Sequence, residues 1–464
     1  MYRYLGSGEH SLWLYSQVAP AHFAITARVV GKFSTDQLKQ ALAGVQQRHP
    51  LLRMRIVPDE FGQPFFIEDS ASIPLRIVQR KKEQHWQYEV EQELAQPFNW
   101  SEAPLVRVVL VHSTDVSELI VTSHHSIGDG LSSAYLLRDI VQALGTPECE
   151  QQLLPKRPSF ENLIPEVIKT TAPNPLTPFP PLQTSPERRG TEEDVPPERG
   201  DFRGGEGGVP TNSVLVYEVV SSPSRQPRLL SWSLSSQETT SLISRCRQEQ
   251  TSVHAVICAA FMLAIATESE QLSTLKCLSP INIRRYLSPA IESDFGFYFW
   301  LGLTSHTLTA NQSLWDIARS LKSQLNQQML PDKIFEGIPA HQALMSTNPS
   351  PRLVYQGFVE QYNNDLLVSN LGRLNFPKQL GQLQLEAIYG PAVMGPTMEK
   401  QRVVGVATLG DKMCFTFTYP ESDMSLVEAE RLQKEAMQQL FCAAGKPNSN
   451  YSNFHLIEPT KALD

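Results

Sequence analysis

Val121-Thr122-Ser123-His124-His125-Ser126-Ile127-Gly128-Asp129-Gly130 is the most informative stretch of this 464-residue chain. The residues leading into it, ELIVTSHH (118–125), are rich in strand formers, and those after it open a helix with Leu137, Ile140, Val141 and Leu144 on one face. Side chains alternate across a strand, so two adjacent histidines at its end point to opposite faces. One should face the core and the other a cavity, and the two are badly placed to chelate a single metal ion. Asp129-Gly130 supplies a tight turn before the helix, which puts Gly130 and the first helical amides at a positive helix end able to stabilise a developing oxyanion. A neutral histidine beside such a site suits general-base work at physiological pH. Asp129 can cap the helix, and capping leaves an ion pair open to it as well. With 11 histidines in the chain, the spacing H-H-x-x-x-D-G should arise by chance only about once in a thousand such sequences.

Outward from this stretch the chain alternates strands and helices. LVRVVLVHS (105–113) reads as a strand joined to 118–125 through a turn at Thr114 and Asp115. HFAITARVVG (22–31) reads as another strand. Ser34-Thr-Asp-Gln37 then has capping-box spacing before Leu38, Ala41, Leu42 and Val45, which predicts a helix from about 35 to 48 ended by Pro50, with MRIV starting a further strand. Between Pro155 and Pro210 lie 12 of the 34 prolines, and SPERRGTEEDVPPERGDFRGGEGG is almost free of apolar residues, which predicts a linker. Beyond it the pattern recurs loosely: a strand-like LLSWSL, a second capping box at Ser235-Ser-Gln-Glu238, and an apolar helix at 255–266 too short to span a membrane. The expected architecture is two similar α/β halves, an N-terminal subdomain at 1–169 and a C-terminal one at 213–464, around a flexible linker at 170–212.

Composition narrows the function. Hydrophobic residues at 41% and charged residues at 19% are those of a globular protein, and a net charge of -8 argues against a chain that coats nucleic acid or anionic lipid. Cys149, Cys246, Cys258, Cys277, Cys414 and Cys442 form no C-x-x-C pair, which predicts free thiols rather than a zinc knuckle. The N-terminus has no basic segment followed by an apolar core, so the expected location is cytoplasmic. No G-x-G-x-x-G after a strand and no Walker A loop occurs, so no bound cofactor is expected.

His124-His125-x-x-x-Asp129-Gly130 resembles the signature of the superfamily that includes nonribosomal peptide condensation domains, polyketide-associated acyltransferases, wax ester synthases, alcohol acetyltransferases and plant BAHD acyltransferases. The resemblance continues through Arg48-His-Pro-Leu-Leu-Arg-Met-Arg-Ile56, Gln96-Pro-Phe-Asn99 and Pro104-Leu-Val-Arg107, then Ser279-Pro-Ile-Asn282-Ile-Arg284, and finally Val368-Ser-Asn370-Leu-Gly372-Arg373. It implies two chloramphenicol-acetyltransferase-like halves, each with a mixed sheet flanked by helices, forming a pseudo-dimer around a central tunnel. It implies catalytic roles for His125, with His124 and Gly130 beside it, and a structural ion pair between Asp129 and an arginine on the 279–284 strand, Arg284 with Arg285 as the alternative. Ser369 and Asn370 either line the tunnel and bind substrate or form an ordinary turn. Asp294-Phe-Gly-Phe-Tyr-Phe-Trp300 resembles the DFGWG motif of BAHD enzymes but comes early and lacks the last glycine, so it is assigned to the glycine-containing strand after the arginine. Arg80-Lys-Lys82 either meets donor phosphates or is a solvated surface.

The implied activity is an acyltransferase that moves an acyl group from acyl-CoA or a phosphopantetheinyl carrier-protein thioester to a hydroxyl, acting as a monomer. A free-standing condensation enzyme that acylates an amine is the nearest alternative. A non-catalytic carrier-protein-binding module is the alternative from another class, and a His/Asp metal site is disfavoured by the strand geometry.

Overall fold

In the computed structural model, which describes residues 2–149, 151–166, 168, 225–268, 274–309, 312–395 and 400–443, the apolar runs become two six-stranded mixed sheets and one smaller three-stranded sheet, flanked by helices. The first half contributes β1 (Tyr2–Tyr4), β2 (His22–Val30), β3 (Met54–Pro58), β4 (Pro64–Glu68), β5 (Leu75–Gln79), β6 (Val106–His112) and β7 (Val116–His124). Its helices are α1 (Ser7–Tyr15), α2 (Thr35–Arg48), α3 (His85–Ala95) and α4 (Gly130–Gly145). The second half contributes β8 (Pro227–Leu234), β9 (Thr274–Asn282), β10 (Phe299–Thr307), β11 (Leu366–Leu374), β12 (Gln379–Leu380), β13 (Leu383–Val393), β14 (Val403–Leu409) and β15 (Lys412–Pro420). Its helices are α5 (Ser236–Gln248), α6 (Val253–Ala266), α7 (Leu314–Gln328), α8 (Pro331–Ile334), α9 (Ile338–Ser346), α10 (Pro351–Tyr362) and α11 (Leu426–Ala443).

Local signals are honoured closely. Ser34 Oγ accepts from the Gln37 amide while Gln37 returns a bond to the Ser34 amide, so α2 starts with its capping box closed, and Ser235 and Glu238 do the same for α5. Strands β2 and β7 are buried along nearly their whole length because each lies between two neighbours with both faces covered. Helix α6 is apolar all round and packs against α7, α11 and β11, which makes it the centre of the second core. No single helix among the described residues is long and apolar enough to cross a membrane.

The halves are interleaved rather than merely adjacent. The first sheet runs β12-β13-β2-β7-β6-β5, so two strands from the second half of the chain pair at the edge of the first half's sheet. Strand β13 pairs antiparallel with β2, from Gln384 opposite Val30 to Val393 opposite Phe23. A contiguous C-terminal subdomain over 213–464 is therefore corrected in one respect: 379–393 belongs by hydrogen bonding to the N-terminal sheet. The reason is that β2 has a free side for which β13 supplies the missing ladder. Strand β13 also backs onto β14, where a Cβ on Gly405 would lie 2.1 Å from the Pro391 carbonyl and 2.4 Å from Thr416 Oγ1, so only glycine permits this approach. The linker expected at 170–212 lies outside the described residues.

Candidate active site

Strand β7 ends at His124, and a one-residue step decides the fate of the two histidines. His125 lines a cavity of about 1030 Å³, counting the space at its open mouth, that lies between the two halves. Its ring lies tilted against that of Phe23 from β2 at 4.3 Å and sits 5.5 Å from Phe299 of β10, one aromatic from each half. Its Nδ1 lies 3.3 Å from the Gly128 carbonyl oxygen. A carbonyl only accepts, so Nδ1 carries the proton and Nε2 keeps its lone pair. Burial drives the pKa of this ring down to about 4, against the Gly128 hydrogen bond and the Asp129 charge, both of which push it up.

His124 takes the opposite face. It is 1% exposed, its Nδ1 accepts from the Ser126 amide at 3.1 Å, and Nε2 therefore carries the proton. It packs edge-on to Phe98 beside His22, and burial, with the neighbouring His22, brings its pKa to about 3. The family resemblance groups His124 with His125 at the catalytic centre, but it does not line the cavity, because strand alternation puts it behind the sheet. What it does is hold the turn through Ser126, whose Oγ in turn donates to the Glu9 carbonyl of α1.

Asp129 is the N-cap of α4, with Oδ1 accepting from the Ser132 amide at 2.7 Å, and it is also an ion-pair partner. The Arg284 guanidinium bonds it in a bidentate manner at 2.9 and 3.0 Å, and the Tyr298 amide donates to Oδ2 at 3.0 Å. Both side chains are buried. Arg284 further donates to Ser132 Oγ at 2.7 Å and lies over the Tyr298 ring. Arg285, the alternative, is turned away from the cavity onto Tyr286 and Met329. Arg284 is not on a strand, however: β9 ends at Asn282, whose Oδ1 accepts the Arg284 amide and starts a 3₁₀ turn at Arg284–Tyr286.

The segment 294–300 also departs from expectation, since β10 begins only at Phe299. The backbone of Gly296 is bonded on both sides by Ser132 Oγ, and that of Tyr298 by Asp129 and by the Ile283 amide. Groups committed across the halves are not free for a strand ladder. Ser132, missed in the sequence, thus ties α4, Arg284 and this loop together; its position three residues after the cap was the available signal.

Gly130 heads α4 and lines the cavity, and a Cβ there would meet Pro391 at 2.8 Å and Leu371 at 3.0 Å, both from the other half. Ser369 and Asn370 line the same cavity, and Asn370 Oδ1 accepts from the Gly372 amide at 2.8 Å, where β11 bulges. They are thus both cavity wall and turn. Arg80 is held by the buried carboxylate of Glu118 at 3.0 Å, which leaves Lys81 and Lys82 as exposed surface. The only charged side chains lining the cavity among the described residues are Asp129 and Arg284, each committed to the other; the rest of the wall is largely apolar. Among the described residues no group of three His, Cys, Asp or Glu side chains is placed to hold a metal ion.

Comparison with known proteins places the chain beside condensation domains and acyltransferases. Residues 12–165 match the condensation-domain family, and residues 223–419 match the family described as the phthiocerol/phthiodiolone dimycocerosyl transferase C-terminus. Phosphinothricin tripeptide synthetase PhsC of Streptomyces viridochromogenes is 27% identical over 156 residues, 31% of this chain and 14% of that protein. Chondramide synthase cmdD of Chondromyces crocatus is 31% identical over 129 residues, 24% of this chain and 3% of that protein. The matched region is thus a small part of each of these synthetases. Among solved structures, polyketide synthase associated protein 5 from Mycobacterium tuberculosis superposes with a TM-score of 0.61 at 14% identity over 96% of this chain and 100% of that one. The TRI3 trichothecene 15-O-acetyltransferase from Fusarium sporotrichioides gives 0.63 at 13% identity over 96% and 95% of the two chains. The first condensation domain of the CDA synthetase gives 0.63 at 14% identity over 96% of both. At such identities these likenesses show the fold.

Proposed function

Since this chain belongs to the superfamily of condensation domains and related acyltransferases, we propose that it transfers an acyl group from a thioester, acyl-CoA or an acylated carrier protein, to a hydroxyl, with His125 as general base. The observation that carries this is the tautomer of His125: Nδ1–H is engaged by the Gly128 carbonyl, so the free lone pair belongs to Nε2 on a ring that faces the cavity between the halves. Nε2 takes the hydroxyl proton as the oxygen attacks the thioester carbonyl, and the imidazolium returns it to the departing thiolate, so that ester and thiol leave with the proton count unchanged. The amides of Ser132 and Ser133 are occupied by Asp129, which leaves those of Gly130 and Leu131 at the positive end of α4 for the tetrahedral oxyanion. Asp129 and Arg284 spend their charges on each other and fix the helix end across the halves.

A hydroxyl acceptor is favoured over an amine by charge. An amine is an ammonium ion at neutral pH, and the one carboxylate lining the cavity among the described residues is already neutralised by Arg284. The test is thioester turnover by wild type and His125→Ala, reading thiol release from acyl-CoA and acyl carrier protein donors with pooled alcohols and amines, and identifying the product by mass. The expected result is an ester and a loss of about 10²- to 10⁴-fold in the variant. While the protein stays folded, kcat/KM should show no acid limb near 6.5, because burial holds His125 below that value, at about 4. Thiol release from neither donor, with carrier-protein binding unaffected by the substitution, would overturn the catalytic role in favour of a binding module.

A further inference from the structure

Apart from the first turn of α4, the helical part of the cavity wall comes from α1, through Leu12 and Tyr15, and from α10, through Phe358 alone. Phe358 is held by other rings: Tyr15 at 5.4 Å and Tyr362 at 4.9 Å, with Tyr15 also against Tyr355 at 5.4 Å. The outer face of α10, at Arg352, Leu353, Gln356, Glu360 and Gln361, is exposed. One helix layer, with Phe358 on its inner side, therefore separates the cavity from solvent.

The wall that this ring closes is apolar. Leu278, Leu367 and Val403 form a small cluster of their own, separate from the main cores, with Leu301, Tyr362 and Val393 packed on it. Leu278, Leu301, Leu367 and Val393 all line the cavity. An apolar surface of this kind gains free energy only when an apolar group covers it. With the two cavity charges committed to each other, the group that fits is an uncharged alkyl or aryl portion of a substrate.

We propose that Phe358 is a specificity-determining residue, an end-stop whose ring sets how large an apolar group the cavity takes. This rests on the assignment of the His125 cavity as the acyl-transfer site. Phe358 is half-buried, and the rings of Tyr15 and Tyr362 packed on it resist its displacement, so a chain too long for the cavity meets a wall rather than a soft edge. In apolar pockets a single methylene is worth roughly 10- to 200-fold in discrimination.

The experiment compares wild type with Phe358→Ala, Phe358→Leu and Phe358→Trp, and uses Leu353→Ala on the exposed face of α10 as the control. Binding is read by displacement of the uncharged dye Nile red with straight-chain alcohols from hexanol to hexadecanol. Turnover is read as thiol release from saturated acyl-CoA donors from acetyl to palmitoyl. Removal of ring volume is expected to move the preferred length to longer chains, raising the long-to-short ratio at least about tenfold, and Phe358→Trp to move it to shorter ones. A shift in the alcohol series alone assigns the end-stop to the acceptor, and one in the acyl-CoA series alone to the donor; either supports it. Parallel length profiles in every folded variant overturn the proposal while leaving acyl transfer standing. A shifted binding profile without any thiol release supports the end-stop and removes acyl transfer. If the alanine variant loses its far-UV circular dichroism, the leucine and tryptophan variants decide.

Discussion

Removing the carboxylate of Asp129 should cost far more than an ordinary helix cap. That side chain accepts four hydrogen bonds, from the amides of Ser132 and Tyr298 and twice from Arg284, and both members of the pair are buried. The cap alone is worth ~1 kcal/mol, whereas stripping the partner from a buried ion leaves an uncompensated charge at about 3–5 kcal/mol. Asp129→Asn keeps the cap and abolishes the charge, so it isolates the second contribution. Arg284→Met keeps the stem over Tyr298 and removes the guanidinium. The double variant leaves no buried charge, so its cost should fall short of the sum of the singles by more than ~2 kcal/mol, well beyond the ~0.5 kcal/mol expected of independent sites. The assay is urea unfolding at pH 7, followed by tryptophan fluorescence and far-UV circular dichroism, with coincident transitions required for a two-state treatment. Additive costs, or an Asp129→Asn change below ~1 kcal/mol, would falsify the assignment of this pair as the tie between the halves.

Two further tests concern the fold. Gly405→Ala should destabilise by at least ~2 kcal/mol, since its Cβ would overlap the Pro391 carbonyl and Thr416 and force β13 from β14; Gly44→Ala, in an α2 position with nothing within 4 Å, should instead stabilise by ~0.5–1 kcal/mol. Thermal unfolding distinguishes them, and equal Tm values for both variants would remove the close approach as the reason for glycine. Acid should unfold the protein early. Burial lowers the folded pKa of His10 to about 4 and those of His22 and His124 to about 3, so below the unfolded value near 6.5 the unfolded chain binds more protons and stability falls with pH, down to the folded values. Well above the unfolded value these groups contribute no pH dependence. At pH 5 the linkage amounts to roughly 2 kcal/mol for each, a large part of the 5–15 kcal/mol typical of a domain. A urea midpoint that stayed constant from pH 7 to about pH 5 would contradict it.

The parts of this structure that the sequence made legible are those fixed by neighbours along the chain. The capping boxes at Ser34 and Ser235 act over three residues, and α2 and α5 begin where they stand. The alternation of β7 likewise separates His124 from His125 without reference to anything distant. The parts that were not legible depend on partners distant in the chain, 155 residues apart for Asp129 and Arg284 and farther still for β2 and β13. Nothing in Leu383–Val393 says that it pairs with β2 rather than with its chain neighbours; the pairing is chosen by an open edge in the other half. The segment 294–300 has strand composition, yet its first residues are irregular because their backbone groups are already bonded to Asp129, Ser132 and Ile283.

The same long-range ties explain why the site residues were easier to identify than to place. The pairing of Asp129 with Arg284 was implied by the family resemblance, but the strand placement expected for Arg284 does not hold, since β9 ends at Asn282. The Asn282 side chain turns the chain into a 3₁₀ step that brings Arg284 inward and leaves Arg285 out. Ser132 escaped notice because a serine in the first turn of a helix is usually unremarkable; here its hydroxyl bonds Arg284 and both backbone groups of Gly296. His125 therefore owes its place to two separate constraints. Strand alternation in β7 decides which face it takes, and the network centred on Asp129 decides that the second half closes over that face. The Asp129 and His125 substitutions should accordingly separate: the first lowers the urea midpoint and, through it, activity, while the second lowers activity in a protein that unfolds at the same urea concentration.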